Sequence, residues 1–82
     1  DKTGKVIVPP KYDKADDFKE GLAKVILNRK YGFINKTGKE IVTPKYDDAW
    51  NFDEGLAEVK LNGKWFYIKV FPNGKVVEYY DE

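Results

Sequence analysis

Cysteine, methionine, histidine, serine and glutamine are all absent from these 82 residues. Without cysteine there are no disulfides and no thiolate chemistry, and without cysteine and histidine the usual zinc ligand sets cannot be assembled. A nucleophile of the Ser-His or Cys-His kind is excluded for the same reason. The redox compartment leaves no trace in such a chain. Arginine occurs once, at Arg29, so the positive charge is otherwise lysine. No apolar run approaches the roughly 18 residues of a membrane-spanning helix, and no basic segment followed by an apolar stretch opens the chain. The chain begins at Asp1 rather than Met, as an excerpt of a longer polypeptide would.

What is present is aromatic and charged. Six Tyr, five Phe and two Trp make up 16% of the chain, and charged residues reach 35%, above the usual quarter. Fifteen basic residues against fourteen acidic ones give +1 with the signs interspersed. No long-range field therefore steers the protein toward nucleic acid or anionic lipid. A chain of this length buries about 63% of its unfolded surface. Its stability must come from efficient packing or from neighbours.

Displacing the sequence by 34 positions brings residues 1–34 onto residues 35–68 with 21 identities. Composition alone would give roughly two or three. The matching blocks include Lys2-Thr3-Gly4-Lys5 with Lys36-Thr37-Gly38-Lys39, Pro10-Lys11-Tyr12-Asp13 with Pro44-Lys45-Tyr46-Asp47, and Glu20-Gly21-Leu22-Ala23 with Glu54-Gly55-Leu56-Ala57. A third copy starts two residues late at Pro72-Asn73-Gly74-Lys75-Val76-Val77 and then departs into Glu78-Tyr79-Tyr80-Asp81-Glu82. The organisation is therefore repeat 1 over 1–34, repeat 2 over 35–68, and a partial third repeat with a tail over 69–82.

Each unit has the marks of strands and tight turns. Ala57, Val59 and Leu61 alternate with Glu58, Lys60 and Asn62, a strand with one buried face, and Ala23, Val25 and Leu27 repeat the pattern. Asn62-Gly63 favours a type I′ hairpin, whose two central residues need positive φ. Asn28-Arg29 takes its place in copy 1 and predicts a looser turn, because arginine is strained there. Lys-Thr-Gly-Lys makes a further turn into Glu40-Ile41-Val42-Thr43, which Pro44 is expected to close for want of an amide donor. Tyr46, Ala49 and Phe52 recur at a spacing of three, read as an extended or bent connection rather than a helical turn. The expected class is all-β: tandem antiparallel meanders of about 34 residues, arranged as a solenoid or as a curved, propeller-like sheet.

Lys64-Trp65-Phe66-Tyr67-Ile68, Glu40 through Asp47 and Phe52-Asp53-Glu54-Gly55-Leu56-Ala57 together resemble the WG (KWG) repeat family, tandem β-rich units found mostly in bacterial proteins. The resemblance covers residues 1–77. The Trp-Gly pair that names the family reads Tyr31-Gly32 in copy 1 and Trp65-Phe66 in copy 2, so Phe66 bears on any close backbone approach that a glycine permits. The resemblance implies a scaffold or interaction repeat with no shared catalytic residues and no cofactor. It also implies a bacterial cell-envelope or secreted setting.

Candidate functional residues follow by elimination. Carboxylate pairs such as Glu20 with Glu54 or Asp13 with Asp47 have the residue type of a glycosidase pair. They are equivalent positions in successive repeats, however, which fits turn and solvation roles better and makes a carboxylate-based glycosidase a remote alternative. The aspartates do not form a calcium loop, so no metal site is expected. Lys24, Lys30, Lys60 and Lys64 beside the aromatic strand only loosely fit a nucleic-acid groove, and near-neutral charge argues against one. Tyr31, Phe33, Trp65 and Tyr67 read as core or inter-repeat stacking. Trp50, opposite Asp16 in copy 1, reads as exposed and, with Tyr46, Tyr12 and Lys45, as a ligand-contacting set. The expectation is a non-catalytic module for protein interaction or scaffolding, with self-association through open repeat ends as one route. A carbohydrate-binding repeat using exposed aromatics is the alternative, so the partner is a protein or a glycan.

Overall fold

The computed structural model describes residues 11–80. The first Lys-Thr-Gly-Lys turn at residues 2–5 lies outside them, as do Asp81 and Glu82. Among the described residues there are eight strands: β1 Lys14–Lys19, β2 Leu22–Leu27, β3 Lys30–Asn35, β4 Glu40–Tyr46, β5 Asp48–Ala49, β6 Leu56–Leu61, β7 Lys64–Val70 and β8 Val76–Tyr79. They make two four-stranded antiparallel meanders, sheet 1 in the order β1-β2-β3-β4 and sheet 2 in the order β5-β6-β7-β8. The class is all-β, as the alternating pattern requires. Each sheet is out of phase with the sequence repeat, since it takes three strands from one copy and its fourth from the start of the next.

The turns are set by residues that accept positive φ. Glu20-Gly21 (53° and 81°) joins β1 to β2, and Asn62-Gly63 (54° and 82°) joins β6 to β7. Asn28-Arg29 adopts the same geometry at 52° and 68°, so Arg29 is held in a conformation that costs an ordinary side chain energy. Asp13 and Asp47 lock these hairpins: their Oδ2 atoms accept the backbone N–H of Asn28 and of Asn62 at 2.9 and 3.0 Å. The connection from Tyr46 through Phe52 is extended, with Ala49 paired to Val59. Its spacing of three reflects a bend between two short stretches, not a helix.

The outcome at Pro44 differs from expectation, because β4 runs through it to Tyr46. Between the Tyr31–Tyr46 and Phe33–Val42 pairs the register slips, and Gly32 lies against the bulged backbone. A Cβ on Gly32 would stand 2.4 Å from the carbonyl oxygen of Val42, 2.7 Å from the nitrogen of Pro44 and 2.9 Å from its Cα. A proline without a donor and a glycine without a side chain thus define one bulge. Among the described residues sheet 2 has no such approach: β7 and β8 pair regularly from Tyr67–Tyr79 to Val70–Val76 and stop short of Phe66. Phe66 fills the space instead, with the Tyr80 ring 4.7 Å away.

Phe33 and Val42 of sheet 1, with Tyr46 at the junction, share one core with Ala49, Phe52, Ala57, Val59, Phe66 and Ile68. Phe33 meets Phe52 edge-on at 4.7 Å and Tyr46 meets Phe66 at 5.9 Å. The opposite face of sheet 1 is also buried, through Ala23, Val25 and Ile34 with Tyr12 and Phe18 packed on them. Among the described residues, sheet 2 is covered on one face alone. Trp65 and Tyr67, read with Phe33 as core or inter-repeat stacking, are each 38% exposed, because they point away from sheet 1 and Phe66 and Ile68 take the buried positions.

Candidate functional site

Several of the polar residues that recur in both copies are engaged in holding the structure together. The Tyr46 hydroxyl donates to Glu78 Oε2 at 2.9 Å, and the Tyr12 hydroxyl donates to Glu40 Oε2 at 2.6 Å. Tyr12, just ahead of β1, therefore pins the fourth strand of sheet 1, while Tyr46, at the end of β4, ties sheet 1 to the fourth strand of sheet 2. Lys11 and Lys45 join the same carboxylates at 3.3 and 3.8 Å. Burial, with the adjacent Glu40 second, pushes the Tyr12 hydroxyl up to about 12, and Tyr46 is raised further for the same reasons with Glu78 as partner. Glu78 is lowered by the hydrogen bond it accepts from Tyr80, helped by Tyr46 and Lys45 against the opposing effect of burial.

Contacts between copies follow the same logic. Glu20 accepts the backbone N–H of Glu54 at 2.7 Å and of Gly55 at 2.9 Å, so one Glu-Gly turn clasps the next. Lys30 and Asp47 form an ion pair at 2.6 Å, and Asp47 is lowered first by that hydrogen bond and then by the Asn62 N–H. Lys24 reaches across the interface, donating to the carbonyl of Ala49 at 3.1 Å and lying 3.4 Å from Asp16. Asp13, Asp47 and Glu20, the carboxylates with the residue type of an acid–base pair, are thus acceptors in turns and clasps.

The four residues read as a ligand-contacting set do not converge. Tyr46 is 1% exposed and its ring belongs to the core, which removes it as a stacking platform. Tyr12 is half-buried against Ala23, Val25 and Ile34, with its hydroxyl engaged. Lys45 is exposed beside Glu78 and lines a groove of about 730 Å³ between β4 and β8 with Ile41, Val76 and Tyr80. Trp50 is the one aromatic of the four that stands out to solvent, at 63% exposure. It borders a different groove, of about 270 Å³, with Asn51, Asp53, Glu54, Leu56, Glu58 and Tyr67.

That second groove lies on the uncovered face of sheet 2. Glu58 pairs with Tyr67 and Leu56 with Lys69 in the β6–β7 register, which sets carboxylate, apolar and aromatic groups side by side. The residues missed in the sequence, Asp53, Glu54 and Glu58, carried a signal there: Glu58 and Asp53 stand where copy 1 has Lys24 and Lys19. Glu40 and Glu78 had none. A 34-residue displacement maps Glu40 onto Gly74, and the two-residue delay of the third copy and the change from bulged to regular pairing bring Glu78 to the tyrosine instead.

The fold defines an all-β repeat protein, built of four-stranded meanders that stack face on face and share strands across the repeat boundary. The family model described as WG containing repeat matches residues 1–31 and 31–65, and the chain belongs to that family. No curated protein and no solved structure matches it significantly.

Proposed function

We propose that the chain is a non-catalytic repeat module that binds protein through the outward face of sheet 2. The observation that carries this reading is the contrast between the two sheets. Sheet 1 is buried on both faces, while the equivalent face of sheet 2 leaves Leu56, Trp65, Tyr67 and Trp50 between 37% and 63% exposed. Large aromatics gathered on one face are the residue types that dominate protein contacts. The recurring carboxylates, tyrosines and lysines that are engaged, Asp13, Asp47, Glu20, Tyr12, Tyr46 and Lys30 among them, support a non-catalytic reading, since they are spent on turns, struts and inter-repeat clasps.

The test is affinity capture with the parent chain and with Trp50→Ala and Trp65→Ala, each checked by circular dichroism for retained structure. A partner held by the parent and lost by folded variants supports the reading. If both variants keep every partner, or if they lose stability instead, the face is structural and the reading fails. The exposed indole of Trp50 also favours a second reading, a glycan platform. Glycan-induced amide shifts confined to Trp50 and its neighbours, with no protein captured, would favour that one.

A further inference from the structure

The groove at Trp50 has a counterpart in sheet 1, and the two differ in charge. Displaced by 34 positions, its lining residues Trp50, Asn51, Asp53, Glu54, Glu58 and Tyr67 correspond to Asp16, Asp17, Lys19, Glu20, Lys24 and Phe33. In sheet 1 the place is filled by positive charge and N–H donors. The Lys24 ammonium sits there, 3.4 Å from Asp16 and 5.6 Å from the centre of the Tyr31 ring, and Glu20 receives two backbone N–H groups. In sheet 2 the lysine has become Glu58, and the groove has three carboxylates and no base among its lining residues. Among the described residues, none of Asp53, Glu54 and Glu58 is ion-paired. The nearby lysines of the same sheet are turned elsewhere, Lys60 over the Trp65 ring at 5.9 Å and Lys69 over Phe71 at 5.2 Å.

A second observation marks the same place as short of donors. The side-chain oxygen of Asn51 is buried with no hydrogen-bond partner, an arrangement that costs about 1–3 kcal/mol when left unmet. The walls suit a cation as well, because the faces of an indole and a phenol attract positive charge at this range. A neutral sugar would use the rings but leave three carboxylates uncompensated.

We propose that this groove binds a basic side chain, the guanidinium or ammonium group of a protein partner. Trp50 and Tyr67 form its walls, and Asp53, Glu54 and Glu58 are its acceptors. The proposal rests on the protein-binding reading above and names the chemistry of the partner. Arginine is favoured over lysine, since its planar fork serves two carboxylates and stacks on an aromatic face together. The incoming group does in sheet 2 what Lys24 does in sheet 1.

The test is an amide NMR titration of the 82-residue chain with acetyl-argininamide, acetyl-lysinamide and the neutral trisaccharide chitotriose. The expected result is saturable shifts at Trp50, Asp53, Glu58 and Tyr67 with the two cationic probes, arginine the tighter, weakening as salt rises from about 50 to about 300 mM. Glu58→Lys, which restores the residue of copy 1, should weaken binding about tenfold or more while the spectrum stays dispersed. Glu58→Gln should weaken it by a smaller factor, and it decides the matter if the lysine variant does not fold. Shifts from chitotriose alone, or equal binding by the parent and Glu58→Gln, would overturn the proposal. Should the cationic probes fail while Trp50→Ala still releases a captured protein, this inference falls and the interaction reading stands; if both fail, both fall.

Discussion

Replacing Gly32 with alanine tests the account of the β3–β4 bulge most directly. The added methyl group would meet three backbone atoms at 2.4, 2.7 and 2.9 Å, where carbon contacts normally begin near 3.4 Å. None of the three can rotate away, so β4 must retreat by about 1 Å or the bulge must open. Either movement disturbs Val42 and Tyr46, which are 3% and 1% exposed and belong to the shared core. Overpacking of this kind costs about 1–3 kcal/mol, and a backbone clash belongs at the upper end. For a domain with about 5 kcal/mol in hand, that is most of its stability. Urea unfolding at 25 °C measures it: with a slope near 1 kcal/mol per molar, the midpoint should fall by about 2–3 M. Far-UV circular dichroism is the right probe, because both tryptophans lie in or beside sheet 2 and their emission would report that half. Gly63→Ala is the control. Its Cβ would have no atom within 4 Å, so only the strain of φ 82° remains, about 1 kcal/mol. A Gly32→Ala midpoint equal to the parent's, or no lower than the Gly63→Ala midpoint, would mean that Gly32 is not pressed against the β4 backbone.

Arg29→Gly should stabilise the fold by about 0.5–1 kcal/mol and so raise the urea midpoint, since it relieves a φ of 68° at the cost of a more flexible unfolded chain; a lower midpoint would mean the side chain holds something in place. Tyr46→Phe removes a hydrogen bond from the end of β4 to a carboxylate on β8 of the other sheet and should cost about 1.5–2 kcal/mol by the same assay, without loss of strand content; an unchanged midpoint would deny Tyr46 its role as a strut. On the acid side, Asp47 and Glu78 are both lowered from ordinary values of 3.8 and 4.5, so their contribution is present at neutral pH and is lost as pH falls below those values through the folded ones. Lys30→Gln should flatten the Asp47 part of that decline. On the alkaline side, Tyr12 keeps its proton in the folded state up to about 12, so stability should fall as pH rises from 10 through that value, and Tyr12→Phe should remove this component.

Strands, hairpins and the repeat were legible because they depend on local chemistry. Ala57 and Val59 alternate with polar residues, and Asn-Gly and Glu-Gly supply the positive φ that two-residue turns need. The extended connection at Ala49 was legible too. Pro44 was not, because a proline normally ends a strand, and only Gly32 across the sheet lets β4 continue past it. The exposure of Trp65 and Tyr67 was hidden for a related reason. In copy 1 two consecutive residues, Phe33 and Ile34, are both buried, since sheet 1 is covered on both sides. Identity between copies cannot tell which sheet has a neighbour.

What tells the sheets apart is where the copies differ. Thirteen of the 34 aligned pairs are not identical, and five of them fall among the seven residues lining the groove at Trp50. The changes share a direction. In sheet 1 a lysine and a phenylalanine meet a second sheet while two aspartates stay exposed beside them, and the ammonium of Lys24 ends on that sheet's backbone. In sheet 2 the same positions hold an acid, a tyrosine, a tryptophan and an asparagine, and no sheet covers them among the described residues. A face meant only to receive another identical repeat has no reason to lose the lysine that crosses the interface. Glu54 keeps the carboxylate with which Glu20 clasps the next turn, so the acceptor is retained while the cation beside it is not. A partner that brings N–H donors and its own positive charge satisfies both residues, and this separates a basic protein segment from a plain copy of the repeat.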